Sequence, residues 1–97
     1  MKSSAYRKVS ILIKAGEIKD FQQIAIDVQK KVLATDMGMH FRTLTARVKD
    51  PGKWLVRELV FLANLLEIEP EILFKMAERL AKEVDELEAK KKKRGKK

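Results

Sequence analysis

Arg42, Thr43 and Ala46 fall on one side of a short apolar-periodic stretch, with His40 just before them and Arg47 at the flank. Stepping 100° per residue from Leu44 puts Phe41 and Val48 on the core side and Arg42, Thr43, Ala46 and Lys49 opposite. A guanidinium at position 42 can donate two hydrogen bonds to guanine O6 and N7, worth roughly 1–3 kcal/mol of discrimination. Ala46 offers apolar contact alone, which suits a thymine methyl or a close approach. Thr43 can bond a base edge or a phosphate. His40, the only histidine, lacks the cysteines or paired carboxylates of a metal site. It is read as a helix cap or a phosphate contact. Phe41 is assigned to packing first, with an edge contact to a thymine methyl open to it. The base-contacting set expected is Arg42, Thr43, Ala46 and Arg47, with His40 included for its place at the helix start.

Cations surround this stretch. Lys30 and Lys31 precede or open the helix before it, where the helix dipole disfavours positive charge and a bound anion would relieve the conflict. Lys49 and Lys53 flank an Asp50-Pro51-Gly52 turn, and Lys90, Lys91, Lys92, Lys93 and Arg94 lie in the terminal run. All nine are expected to meet phosphates. The net charge of +8 is sorted along the chain: +2 over residues 1–29, +5 over 30–57, −6 over 58–89 and +7 over 90–97. Such sorting suits a protein that presents one surface to phosphate.

The positioning elements are helical. Leu33 and Met37 give residues 30–37 an apolar face, and Leu44 and Val48 do the same for the next helix. Ala34 is small enough to let a second helix cross closely, and Gly38 can take the positive φ that ends the first. This is the pattern of a helix-turn-helix over residues 30–49. Upstream, Val9, Leu12 and Ile13 suggest a leading helix over residues 5–15 ending at Gly16, although Val-Ser-Ile-Leu-Ile also suits a strand. Asp20 can cap a helix bearing Phe21, Ile24 and Ala25. Downstream, Leu55, Leu59, Leu62, Ala63 and Leu66 predict a helix from about Val56 to Leu66, and Trp54 is expected to pack beside the turn that precedes it. Pro70 fits the first turn of a final helix reaching about residue 89.

Along that last helix Leu73, Ala77, Leu80, Val84 and Leu87 follow a heptad rhythm. Beyond Leu80 no further chain remains to cover Val84 and Leu87, so Leu80, Val84 and Leu87 are read as a homodimer seam, with a solvated helix end as the alternative. Residues 90–97 are too charged to fold alone and are expected to be a disordered basic tail.

At Ala34, Gly38 and Leu44 the chain resembles the Cro and phage-repressor (XRE-type) helix-turn-helix family. The likeness continues through LVRELVFLANLLEIEPEIL, which is similar to the family's fourth and fifth helices, and covers about residues 20–76. It implies an all-α, compact bundle of the lambda-repressor-like DNA-binding type, here with an extra N-terminal segment and a long C-terminal helix, spanning residues 1–89. It also implies base contacts from the start of the second motif helix and one turn on, matching His40, Phe41, Arg42 and Ala46. One departure stands out: three residues after Leu44, where the family places an apolar residue, this chain has Arg47. Val48 follows, so the helix could pack with a slightly rotated face.

The function implied is a sequence-specific DNA-binding transcriptional regulator that inserts residues 40–49 into the major groove of double-stranded DNA, without a cofactor. Two alternatives stand beside it: an antitoxin-like or other protein-binding helical module, and an RNA-binding accessory protein using the tail. An enzyme is not expected, since no Ser/His/Asp or Cys/His set, phosphate loop or metal set is present. The absence of cysteine fits a reducing compartment, and no segment reads as a signal peptide or membrane span. A cytoplasmic, bacterial or phage-like nucleoid-associated setting is expected.

Overall fold

A computed structural model describes residues 4–95, with side chains described as far as Ala89. The described chain is all-helical, 81% helix with no strand. Six α-helices follow one another: α1 (Ser4–Lys14), α2 (Phe21–Val28), α3 (Lys30–Met37), α4 (Phe41–Lys49), α5 (Val56–Leu66) and α6 (Pro70–Gly95), with a 3₁₀ turn at Pro51–Lys53 between α4 and α5.

Residues 5–15, which also suited a strand, form helix α1. Its stripe of Tyr6, Val9 and Ile13 is buried, and the Tyr6 hydroxyl donates to Asp36 Oδ2 at 2.6 Å, tying α1 to α3. Burial, then the hydrogen bond and negative charge of Asp36, push the Tyr6 phenol up. Asp20 caps α2 by accepting from the Gln23 N–H at 2.8 Å.

The core runs through every helix. Val9, Phe21, Ile24, Leu33, Leu44, Leu62, Leu66 and Leu73 are its largest fully buried side chains. Trp54 packs on Phe21 with ring centroids 5.0 Å apart, so the turn after α4 is stitched to the start of α2.

Two helix junctions use non-glycine residues at positive φ, Gln29 (78°) and Glu67 (57°). At the second, the N–H of Glu67 donates to Asn64 and that of Ile68 to Ala63, which closes α5 in a Schellman turn with Ile68 buried. At the first, the single residue Gln29 separates α2 from α3.

Helix α6 has 26 residues, a length of about 39 Å at 1.5 Å per residue. It extends to Gly95, past the boundary near residue 89 drawn from sequence, so Lys90–Arg94 lie on helical backbone. Alanine, lysine and arginine are good helix formers, and cations suit the C-terminal end of the helix dipole. No helix among the described residues is long and apolar enough to cross a membrane.

Candidate nucleic-acid interface

Helices α3 and α4 meet at a turn built by three residues. Ala34 is buried at the crossing. Gly38 adopts φ 65°, ψ 33°, and its N–H donates to Thr35 while that of Met39 donates to Ala34. A Cβ on Gly38 would meet nothing within 4 Å, so glycine is required there for its backbone conformation and not for space. Leu44 is fully buried, which fixes the roll of α4 about its own axis.

That roll decides what α4 presents. Arg42 is exposed, Thr43 and Ala46 are half-exposed, and His40 is exposed at the N-cap. The His40 side chain makes no capping hydrogen bond. The first-turn N–H groups of Phe41, Arg42 and Thr43 have no acceptor within the helix, and the first intrahelical bond runs from Leu44 to the His40 carbonyl. His40, Phe41, Arg42 and Thr43 together line an open concavity at this end.

Two expectations are corrected here. Arg47, expected among the base contacts, does not share the exposed side of α4 with Arg42. Its Nε donates to Glu58 Oε1 at 2.9 Å and its NH2 group lies 3.4 Å from Oε2, with both side chains largely buried, 20% and 16% exposed. The angular position of Arg47, 60° from Leu44, carries it over the edge of the core toward α5, where a carboxylate meets it. Phe41 is not packed inside: it is 47% exposed. Standing at the first position of α4, its ring projects past the end of the core, and Lys30 Nζ sits 5.5 Å from the ring centroid.

Glu58 was missed by the sequence reading. Besides Arg47 it accepts the Leu55 N–H at 2.9 Å, the reciprocal half of a capping box at the start of α5. Leucine has no side-chain acceptor to supply the other half. Burial alone would push the Glu58 carboxyl up, but hydrogen bonds from Arg47 and Leu55 and the charges of Arg47 and Arg57 outweigh it and hold the group below the usual carboxylate range. The Leu55-x-x-Glu58 spacing was the available signal.

The expected phosphate contacts Lys31, Lys49 and Lys53 are exposed, and Lys30 is half-exposed beneath its contact with Phe41. They bracket α4, Lys30 and Lys31 at the start of α3, Lys49 and Lys53 around the 3₁₀ turn. The side chains of Lys90, Lys91, Lys92, Lys93 and Arg94 lie outside the described residues.

The expected seam is also revised. Leu80 packs against the core, and Val84 is half-buried. Contrary to the expectation that nothing covers this end, Leu80, Val84 and Leu87 face a groove bordered by Phe21, Val48 and Pro51. The cause is the 3₁₀ turn, which lies so close to α6 that a Cβ on Gly52 would sit 3.5 Å from that of Ala81. Leu87 stays 61% exposed.

No group of three or more His, Cys, Asp or Glu among the described residues could hold a metal ion. Comparisons with family models, curated proteins and solved structures find no match to the chain.

Proposed function

We propose that the chain is a sequence-specific DNA-binding regulator of the Cro and phage-repressor (XRE) type, acting in the cytoplasm, with α3 and α4 as its helix-turn-helix. The observation that carries this reading is the pairing of a buried Ala34–Gly38–Leu44 frame with an exposed Arg42 at the start of α4. The frame holds α4 from behind and leaves its N-terminal turn free to enter a major groove. Arg42 reads guanine, Thr43 and Ala46 complete the contact, and His40 with the first-turn N–H groups of α4 meets the backbone. Lys30, Lys31, Lys49 and Lys53 hold phosphates on either side, and the run Lys90–Arg94 adds sequence-independent affinity. The mechanism is occupancy of a site, with no bond made or broken.

The deciding experiment is selection of bound duplexes from a random pool by the full chain. A common enriched motif that is lost in Arg42→Ala supports the reading. Recovery of random sequence with strong salt dependence reduces the chain to a non-specific binder.

A second reading, a protein-binding helical module, draws on one observation. Leu55, Val56 and Phe61 on and beside α5 are 42%, 68% and 47% exposed, an apolar display unusual for a helix facing solvent. Partner binding with weak salt dependence, and no retention of duplex DNA, would favour it.

A further inference from the structure

We propose that the groove between the α3–α4 turn and the outer face of α5 docks an amphipathic helix of a partner protein, one that presents a large apolar side chain with a carboxylate one helical turn away. The inference rests on the second reading above, to which it gives a partner, and it stands apart from the reading of α4.

The phase of α5 puts an aromatic ring where this chain cannot cover it. Leu59, Leu62, Ala63 and Leu66 are buried and define the core side of the helix. At 100° per residue Phe61 lies about 200° from Leu59 and Arg57 about 160° from it, so both face away from the core. Phe61 is accordingly 47% exposed. The turn supplies the opposite wall: Met37, Gly38 and Met39 enclose, with Arg57, Glu58 and Phe61, an open groove of about 330 Å³. Met37 and Met39 are half-buried against the core, and their unbranched thioethers can repack around an incoming side chain. Gly38 adds no side chain, and the space where a Cβ would stand is empty to 4 Å. The groove therefore has an apolar floor and one adaptable wall.

Charge selects the occupant. Glu58 is committed to the Arg47 guanidinium and the Leu55 N–H. Arg57 is exposed and makes no ion pair among the described residues, so it is the uncompensated charge of the groove. Residues 30–57 around it carry a net +5. A second copy would set Arg57 and this positive surface against themselves, and like charges across an interface oppose association. A carboxylate on the partner matches Arg57 instead. Because Arg57 and Phe61 are i and i+4 on one face, the carboxylate belongs three or four positions from the apolar anchor. That spacing is a helical one. The described chain has no strand to extend, which leaves a helix laid in a groove as the docking mode.

The test uses the full chain without DNA, with a displayed library of random helix-forming peptides as the probe. Enriched peptides should pair an aromatic or leucine anchor with Asp or Glu three or four residues away. Phe61→Ala should weaken such a peptide about tenfold with an unchanged melting temperature, because the ring faces solvent. Arg57→Glu should weaken it as well, and exchanging the peptide's acid for lysine should restore binding to that variant. In protein labelled at the methionine methyls, the peptide should shift Met37 and Met39 and leave Met76, which is buried in the core, where it was. No enrichment, or enriched peptides indifferent to Phe61→Ala, overturns the groove. Enriched basic peptides, or binding indifferent to Arg57→Glu, overturn the acidic partner. Sedimentation of the chain alone as a dimer that Phe61→Ala dissociates makes a second copy the occupant and overturns the proposal. Each result leaves the reading of α4 untouched, since that rests on DNA selection.

Discussion

The guanidinium of Arg47 lies against the carboxylate of Glu58, Nε to Oε1 at 2.9 Å, and the same carboxylate oxygen accepts the Leu55 N–H that opens α5. One acidic side chain therefore joins the end of α4 to the start of α5 and caps the latter. At the position where the resemblance calls for an apolar residue, this chain substitutes a charge pair for a hydrophobic contact. The pair fixes α4 against α5, and with it the direction in which Arg42 points.

A first prediction follows for stability and sequence preference together. Arg47→Leu should leave Glu58 partly buried without its cation and cost about 1–3 kcal/mol in denaturant unfolding. The enriched DNA motif should stay the same, because Arg47 is held against Glu58 and away from the side of α4 that bears Arg42. A changed motif with unchanged stability would return Arg47 to the set of base readers.

The same pair makes stability depend on pH in a defined direction. The Glu58 carboxyl is held below the usual carboxylate range in the folded protein, so folding favours its ionised form. That contribution is fully present above the ordinary glutamate pKa of about 4.3 and fades as pH falls through the lowered folded value. Unfolding free energy measured across the acid range should fall less steeply in Glu58→Gln than in the parent chain. Parallel curves would show that other carboxylates carry the acid sensitivity.

Backbone conformation gives a third prediction, with opposite signs at two sites. Gln29 sits at φ 78°, ψ 120°, a region costly for any residue with a Cβ, while Gly38 sits at φ 65° in open space. Gln29→Gly should raise stability, and Gly38→Ala should lower it, each by about 1 kcal/mol. Thermal melts of the two variants check both signs. A loss of stability in Gln29→Gly would mean that the side chain contributes more than its backbone costs.

These residues mark what the sequence could and could not reveal. Where a terminator has its own chemistry, the reading holds: Asp20 caps α2, Gly38 ends α3 and Pro70 opens α6. Gln29 and Glu67 end helices at positive φ without a residue type that announces it, and the tertiary packing on either side imposes the conformation. The frame of the candidate site was legible because Leu44 sets the phase of α4. The departures came from long-range geometry. Arg47 meets a partner eleven residues away, Phe41 overhangs the core at a helix end, and Val84 faces a turn thirty residues earlier. Periodicity within one helix cannot show a neighbour supplied by another.

Arg42 carries the sharpest functional prediction, because its side chain is exposed and no structural role competes for it as Glu58 competes for Arg47. If its guanidinium reads guanine, Arg42→Ala should cost about 1–3 kcal/mol on the selected duplex and much less on random duplex. Arg42→Lys should recover charge without the paired donors, restoring affinity for random DNA but not the discrimination. Stability should be unchanged in both variants, since an exposed side chain on the outer face of α4 supports nothing behind it. Titrations of the three proteins on both duplexes at one salt concentration separate the terms. Equal losses on the two DNAs would make Arg42 a phosphate contact, and the reading role would pass to Thr43 and Ala46.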